Sequence, residues 1–239
     1  MNWLDAVRAT DTALMPTLVA QQIWLHLGWS VVLAWLALVV VQRVGSTARS
    51  STRLSAIVAL AVGLWAWVPG TASPAYWLGL AFQAPSIVAV LLCAGAVVRR
   101  LHPGVAHKLA LDDGAWRTGD VMALCVLGVL AGWALLLDSF ALLPLQLYAW
   151  GFSPLAVGVI ALAALLPATL LAPRGTGWVG RVAVVPAVLL LLVAVHLPTG
   201  NAWDAVLDPW LWLVLQFHVG RSWWVYYKNS SALRIFHEG

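Results

Sequence analysis

Apolar residues in this chain do not alternate with polar ones; they run together in long stretches separated by short clusters of charge, proline and glycine. Runs of about 20 apolar residues, rising 1.5 Å per residue as helices, match the ~30 Å hydrocarbon core of a bilayer. Setting the runs against their punctuation predicts seven helices, Ile23–Gln42, Leu54–Val68, Tyr76–Val98, Asp120–Asp138, Pro154–Ala172, Gly180–Leu197 and Pro209–Tyr227. The second is the shortest. The expected fold is therefore an all-α, polytopic integral membrane helix bundle of about seven spans, forming one domain over residues 1–239. Phe140–Phe152 carries no charge and is too short to cross, so it reads as a helix in the membrane interface or a re-entrant turn. Residues 228–239 read as a polar cytoplasmic tail.

Positive charge occupies every other connection. Arg43, Arg49 and Arg53 follow the first span; Arg99, Arg100, Lys108 and Arg117 follow the third; Arg174 and Arg181 follow the fifth; and Arg221, Lys228 and Arg234 mark the C-terminal end. Twelve of the 13 basic residues thus fall on one side and Arg8 alone on the other. The positive-inside rule then puts the N-terminus outside and the C-terminus in the cytoplasm, with an odd number of crossings, in a bacterial-type plasma (inner) membrane.

Composition supports this frame: 62% of residues are hydrophobic and 9% charged, with a mean hydropathy of +0.90. Twenty-two charged side chains (13 basic, 9 acidic) are too few to cover a 25.7 kDa globule in water. Seven spans use roughly 140 residues, which leaves no room for an extramembrane domain. The net charge of +4 does not point to nucleic acid, because the basic residues mark loops and form no face interleaved with aromatics. Asp5, Arg8, Asp11 and Pro16 do not form a signal-peptide n-region, so no cleaved leader is expected. Cys93 and Cys125 lie inside apolar runs without ligand or disulfide spacing and read as small core residues. Eleven of the 16 tryptophans fall in the expected outer half or outer loops, as an aromatic belt at the headgroup level or as the lining of an outward apolar cleft.

Two sets of side chains carry candidate chemistry. Ionisable or amide groups within the apolar runs are expensive in lipid and so mark a buried polar network or a pathway. These are Gln83 in the third span and Gln216, His218 and Arg221 in the seventh, with His218 nearest the midplane. The second set lies near the outer surface, where His26, His196 and Asp138, with Asp204 and Asp208 nearby, would offer imidazoles and carboxylates to a metal if their helices converge. No pair shows H-x-x-x-H or H-E-x-x-H spacing, and only His26 and His196 share a depth suited to a bis-histidine haem. No cofactor is expected from motifs, haem or metal at these histidines being the alternative. His102 and His107 sit in a basic loop facing anionic headgroups. No G-x-S-x-G, phosphate loop or acidic prenyl-diphosphate motif is present, which argues against a catalytic role.

Helix packing has its own signals. Gly128 and Gly132 form a G-x-x-x-G, and Ala81, Pro85, Ala89 and Cys93 make a stripe of small residues and proline. Pro74-x-x-Trp77-Leu78-x-Leu80 is echoed by Pro209-x-x-Trp212-Leu213-x-Leu215, either as a three-helix repeat or by chance in a Leu- and Trp-rich chain. The functional expectation is a non-catalytic membrane protein, an accessory or assembly subunit of a larger complex, with lipids and other membrane subunits as partners. The alternatives are a small seven-helix transporter with its pathway between spans three and seven, and a haem- or metal-handling redox protein.

Overall fold

The structure, a computed structural model, describes residues 15–44, 52–108, 119–171 and 184–237, and among these every regular element is helical. The connections carrying Arg49, Arg117, Arg174 and Arg181, the expected span ends at Ala172 and Gly180, Arg8, and the last two residues of the expected tail lie outside the described residues. The helices are α1 (Leu18–Val44), α2 (Thr52–Trp65), α3 (Pro74–Phe82), α4 (Ile87–Leu101), α5 (Pro103–Lys108) and α6 (Gly119–Ser139). They continue with α7 (Leu147–Trp150), α8 (Pro154–Leu171), α9 (Val184–Val195), α10 (Ala202–Val206) and α11 (Pro209–His237).

Two helices, α1 and α6, are long and apolar enough to cross a membrane. Their 27 and 21 residues correspond to about 40 and 31 Å of helix. Thr52–Trp65, Pro154–Pro167 and Val184–Val195 are apolar but shorter. The 29-residue α11 is long enough, but Gln216, His218 and Arg221 dilute its apolar character. It also runs on through residues 228–237, where a frayed tail is expected from polarity; from Arg221 to His237 there is neither Gly nor Pro to stop it.

The third expected span is the clearest departure. The apolar run predicts one helix over Tyr76–Val98, whereas α3 stops at Phe82 and α4 begins only at Ile87. Pro85 is the cause: it has no N–H to give to the carbonyl four residues back, and it disfavours helical backbone at Ala84. Gln83 turns the chain with φ of +61°, and Ser86 restarts the helix as its cap, its Oγ accepting from the Ala89 N–H at 3.1 Å.

The packing divides into two parts. In the first, α1 lies against α2, α3 and α4. Ser30 Oγ donates to the Gly63 carbonyl at 2.8 Å across the α1–α2 seam. Gly28 leaves room for Pro85 and Val90, so the small-residue stripe of the third span is used where it meets α1. Trp29, 2% exposed, centres a core with Val32, Ala66, Ala75 and Cys93. In the second part, α6 packs on α8 and α11, and α8 on α9. The Gly128–Gly132 groove of α6 receives Leu215 and Trp212 of α11, and the Trp212 indole donates to the Val129 carbonyl at 3.2 Å. A second core joins the two parts, uniting Ile87 and Ala89 of α4 with Ala156, Val188, Leu189 and Leu211.

Residues 140–152 are irregular apart from the single turn of α7. They are held to the connection between α9 and α11. Asn201 Nδ2 donates to the Tyr148 carbonyl and the Trp203 indole to the Leu147 carbonyl, both at 2.9 Å. Gly151 approaches Asn201 and Trp203 so closely that a Cβ there has no room.

Candidate functional site

The interruption between α3 and α4 organises the most polar interior of the fold. A broken helix exposes backbone groups that an apolar surrounding cannot satisfy, so each needs a partner. Two come from tryptophans on α1: the Trp29 indole donates to the Gln83 carbonyl and the Trp24 indole to the Pro85 carbonyl, both at 2.9 Å. A third comes from Asp208, 122 residues away in sequence, whose Oδ2 accepts the Ser86 N–H at 2.7 Å. The Oδ1 of the same carboxylate accepts the Leu211 N–H at 2.7 Å, capping α11. One side chain, 6% exposed, therefore ties together the first turns of two helices, where the positive ends of both dipoles favour a carboxylate.

Beside this junction lies a cavity of about 270 Å³. Its polar wall is formed by Gln21 and Gln22 of α1, Gln83 at the break, and Thr199, Asp204 and Asp208. Its apolar wall is formed by Leu18, Leu25, Phe82 and Leu207. Asp204 Oδ2 accepts from Thr199 Oγ1 at 2.5 Å and from the Tyr148 hydroxyl at 2.9 Å. Burial pushes the Asp204 carboxyl above its ordinary range, the nearby Asp208 adds to this, and the two hydroxyl donors oppose it. The same burial and the Asp204 charge raise the Tyr148 phenol well above its usual value.

A second cavity, about 290 Å³, shares Gln22 and Leu25 with the first and is bounded by His26, Tyr76, Gly79 and Leu80. His26 Nδ1 donates to the Ala66 carbonyl at 2.7 Å, and the same carbonyl takes the Ser73 hydroxyl at 2.8 Å. The imidazole stacks on Trp67 with ring centroids 5.7 Å apart.

The structure separates the residues that the sequence groups. Of the pathway set, Gln83 lines the first cavity, but Gln216, His218 and Arg221 do not. They lie 7, 9 and 12 residues along α11 from its start at Pro209, about 10 to 18 Å down the helix axis. Gln216 and His218 are half-buried and Arg221 is exposed. Nor are His26, His196 and Asp138 brought to one point: among the described residues no three His, Cys, Asp or Glu side chains converge as a metal site. His26 is held at the α2 end; His196 closes α9 with φ of +57°, its N–H bonded to the Leu192 carbonyl; and Asp138 accepts the Tyr148 N–H at 2.8 Å.

The residues that build the junction were readable by other signals. Gln-Ala-Pro-Ser inside an apolar run announces a stop and a new cap, and Asp208-Pro209 is a cap followed by proline at the first helical position. Ser73-Pro74 is the same device, with Ser73 Oγ accepting the Ala75 N–H at 3.1 Å. Both segments of the echo thus begin with a capping side chain followed by proline at the first helical position. Comparisons with protein-family models, curated proteins and solved structures give no match.

Proposed function

We propose that the chain is a seven-span plasma-membrane protein, N-terminus outside and C-terminus in the cytoplasm, that holds a small polar solute in an outward-opening site and acts as a carrier. The observation that carries this reading is the interrupted helix: a non-helical stretch between Phe82 and Ile87 with a 270 Å³ cavity against it. In membrane proteins irregular backbone is tolerated where it is buried in protein or lines a cavity, and discontinuous helices are a recurrent way to build solute sites. The cavity is lined by the first turns of α1, Leu18 to Leu25, with Leu18 exposed, and this is the outer end in the charge-based orientation.

Cysteine labelling tests it in a Cys93→Ser, Cys125→Ser background. Gln22→Cys at the cavity mouth and Ala84→Cys at the break are exposed to an impermeant maleimide, first in intact cells and then in inside-out vesicles. A carrier gives outside labelling at both positions and inside labelling at Ala84→Cys. Labelling of Ala84→Cys from neither side refutes the reading, and labelling from outside alone reduces it to a static binding protein.

The accessory-subunit reading keeps one observation in its favour. Trp223, Trp224, Tyr226 and Tyr227, on the later half of α11, are 64–76% exposed and form an aromatic band that suits a neighbouring subunit or the headgroup layer. Co-purification of a stoichiometric membrane partner, lost when these four residues are replaced by serine, would support that reading.

A further inference from the structure

Resting on the solute-site reading and deepening it, we infer that the cavity takes a small organic cation, a primary alkylammonium whose charged head meets the break and whose short apolar body lies on the leucines. Three features of the wall select this class. First, the described residues lining it include Asp204 and Asp208 but no Lys, Arg or His, so no cationic side chain there competes for the carboxylates. Second, the break leaves the C-terminal, negative end of the α3 dipole beside the cavity, whose lining includes Phe82 and Gln83. The donors that would serve the Ala81 and Phe82 carbonyls are those of Pro85, which has no N–H, and Ser86, whose N–H is turned to Asp208. These carbonyls at the C-terminal end of α3 suit a donor that carries positive charge, as unwound helix ends do elsewhere. Third, Leu18, Leu25, Phe82 and Leu207 give the same cavity an apolar wall beside its polar groups. A bare metal ion has no use for that wall, and 270 Å³ is far more room than such an ion fills. An ammonium with three N–H donors finds polar partners in this lining, and its methylenes find apolar ones.

The site is distinct from a mere acidic surface. Asp208 already serves two backbone N–H groups, and Asp204 is held by two hydroxyls, so both carboxylates are positioned before any solute arrives. A carboxylate has about four acceptor positions, which leaves capacity for the ammonium after these bonds.

The test uses the full-length protein in lipid nanodiscs, read by tryptophan emission, since Trp24 and Trp29 sit on the break. Butylammonium, butanol and butyrate, alike in size and differing in charge, are titrated at constant ionic strength, with sodium chloride as a fourth titrant. The expected result is saturable binding of butylammonium alone. Asp204→Asn and Gln22→Lys should each weaken it at least tenfold. Leu18→Trp, at a mouth residue 77% exposed, should abolish it while the circular dichroism spectrum stays unchanged. Binding of butanol or butyrate as tight as that of butylammonium, and lost in Leu18→Trp, overturns the choice of a cation and leaves the solute site standing. The same saturable change with sodium chloride alone overturns the choice of an amine. Binding of none of the four overturns both the cation and the solute site.

Discussion

Replacing Asp208 with alanine removes the shared acceptor of two buried N–H groups, those of Ser86 and Leu211. Each buried donor left unsatisfied costs about 1–3 kcal/mol, and a lost helix cap alone about 1 kcal/mol. Asp208→Ala should therefore destabilise the fold by about 3–5 kcal/mol, a large share of the roughly 5–15 kcal/mol that holds a typical protein together. Asp208→Asn keeps one carbonyl oxygen and turns an NH₂ toward the other donor. It should lose about half as much, roughly 1.5–2.5 kcal/mol. The assay is SDS titration of the purified full-length protein in mixed micelles, followed by circular dichroism and tryptophan emission. A double-mutant cycle isolates the long-range bond. Ser86 has φ of −63°, which proline can adopt, so Ser86→Pro deletes its N–H with little change of backbone; it also removes the Oγ cap on Ala89, a loss common to both arms of the cycle that cancels. In that background Asp208→Ala should cost measurably less than in wild type. An alanine variant within about 0.5 kcal/mol of wild type, or a cycle that closes additively, would show that the carboxylate does not tie the two helices.

Gly132→Ala should destabilise by about 1–3 kcal/mol, because its Cβ meets the Trp212 indole, whereas Gly220→Ala, with nothing near its Cβ, should be neutral or stabilising. The same SDS titration separates the two. Gln83→Gly should be neutral to about 1 kcal/mol stabilising, since glycine adopts φ of +61° without strain, and Gln83→Val should be clearly worse than either. Asp204, whose carboxyl is pushed up by burial, holds its proton in the folded state over a range where the unfolded chain has released it. Its contribution is fully present below the ordinary aspartate range and is lost as pH rises through the elevated value; Asp204→Asn should flatten that slope in thermal melts between pH 4 and pH 7. A steeper slope in the variant would contradict the assignment.

The helical character of the chain, the packing role of Gly128 and Gly132 and the apolar setting of Cys93 and Cys125 were legible because each follows from local composition and spacing. Gln83 was also visible as a polar residue in an apolar run, and it does line the cavity. Gln216, His218 and Arg221, which the sequence groups with it by depth along continuous helices, lie on α11 and do not line that cavity. Asp208 was seen only as a loop carboxylate near histidines. Its bond to Ser86 spans 122 residues, and no periodicity in either segment records such a pairing. The tryptophans carry a role that their positions along the chain do not record: the indoles of Trp24, Trp29, Trp65, Trp77, Trp203 and Trp212 all donate to backbone carbonyls of turns, breaks or a neighbouring helix.

That use of tryptophan sets an order of assembly. The nine residues of α3 rise only about 14 Å, so this helix gains little order from its own hydrogen bonds and depends on its neighbours. The carbonyls of Gln83 and Pro85 are answered by α1, synthesised earlier, while the Ser86 N–H is answered by Asp208, synthesised much later. Helix α1 can therefore pair with the break as soon as α3 and α4 are made, whereas the Ser86 N–H waits for Asp208 to follow. The break is closed only when the start of α11 is in place.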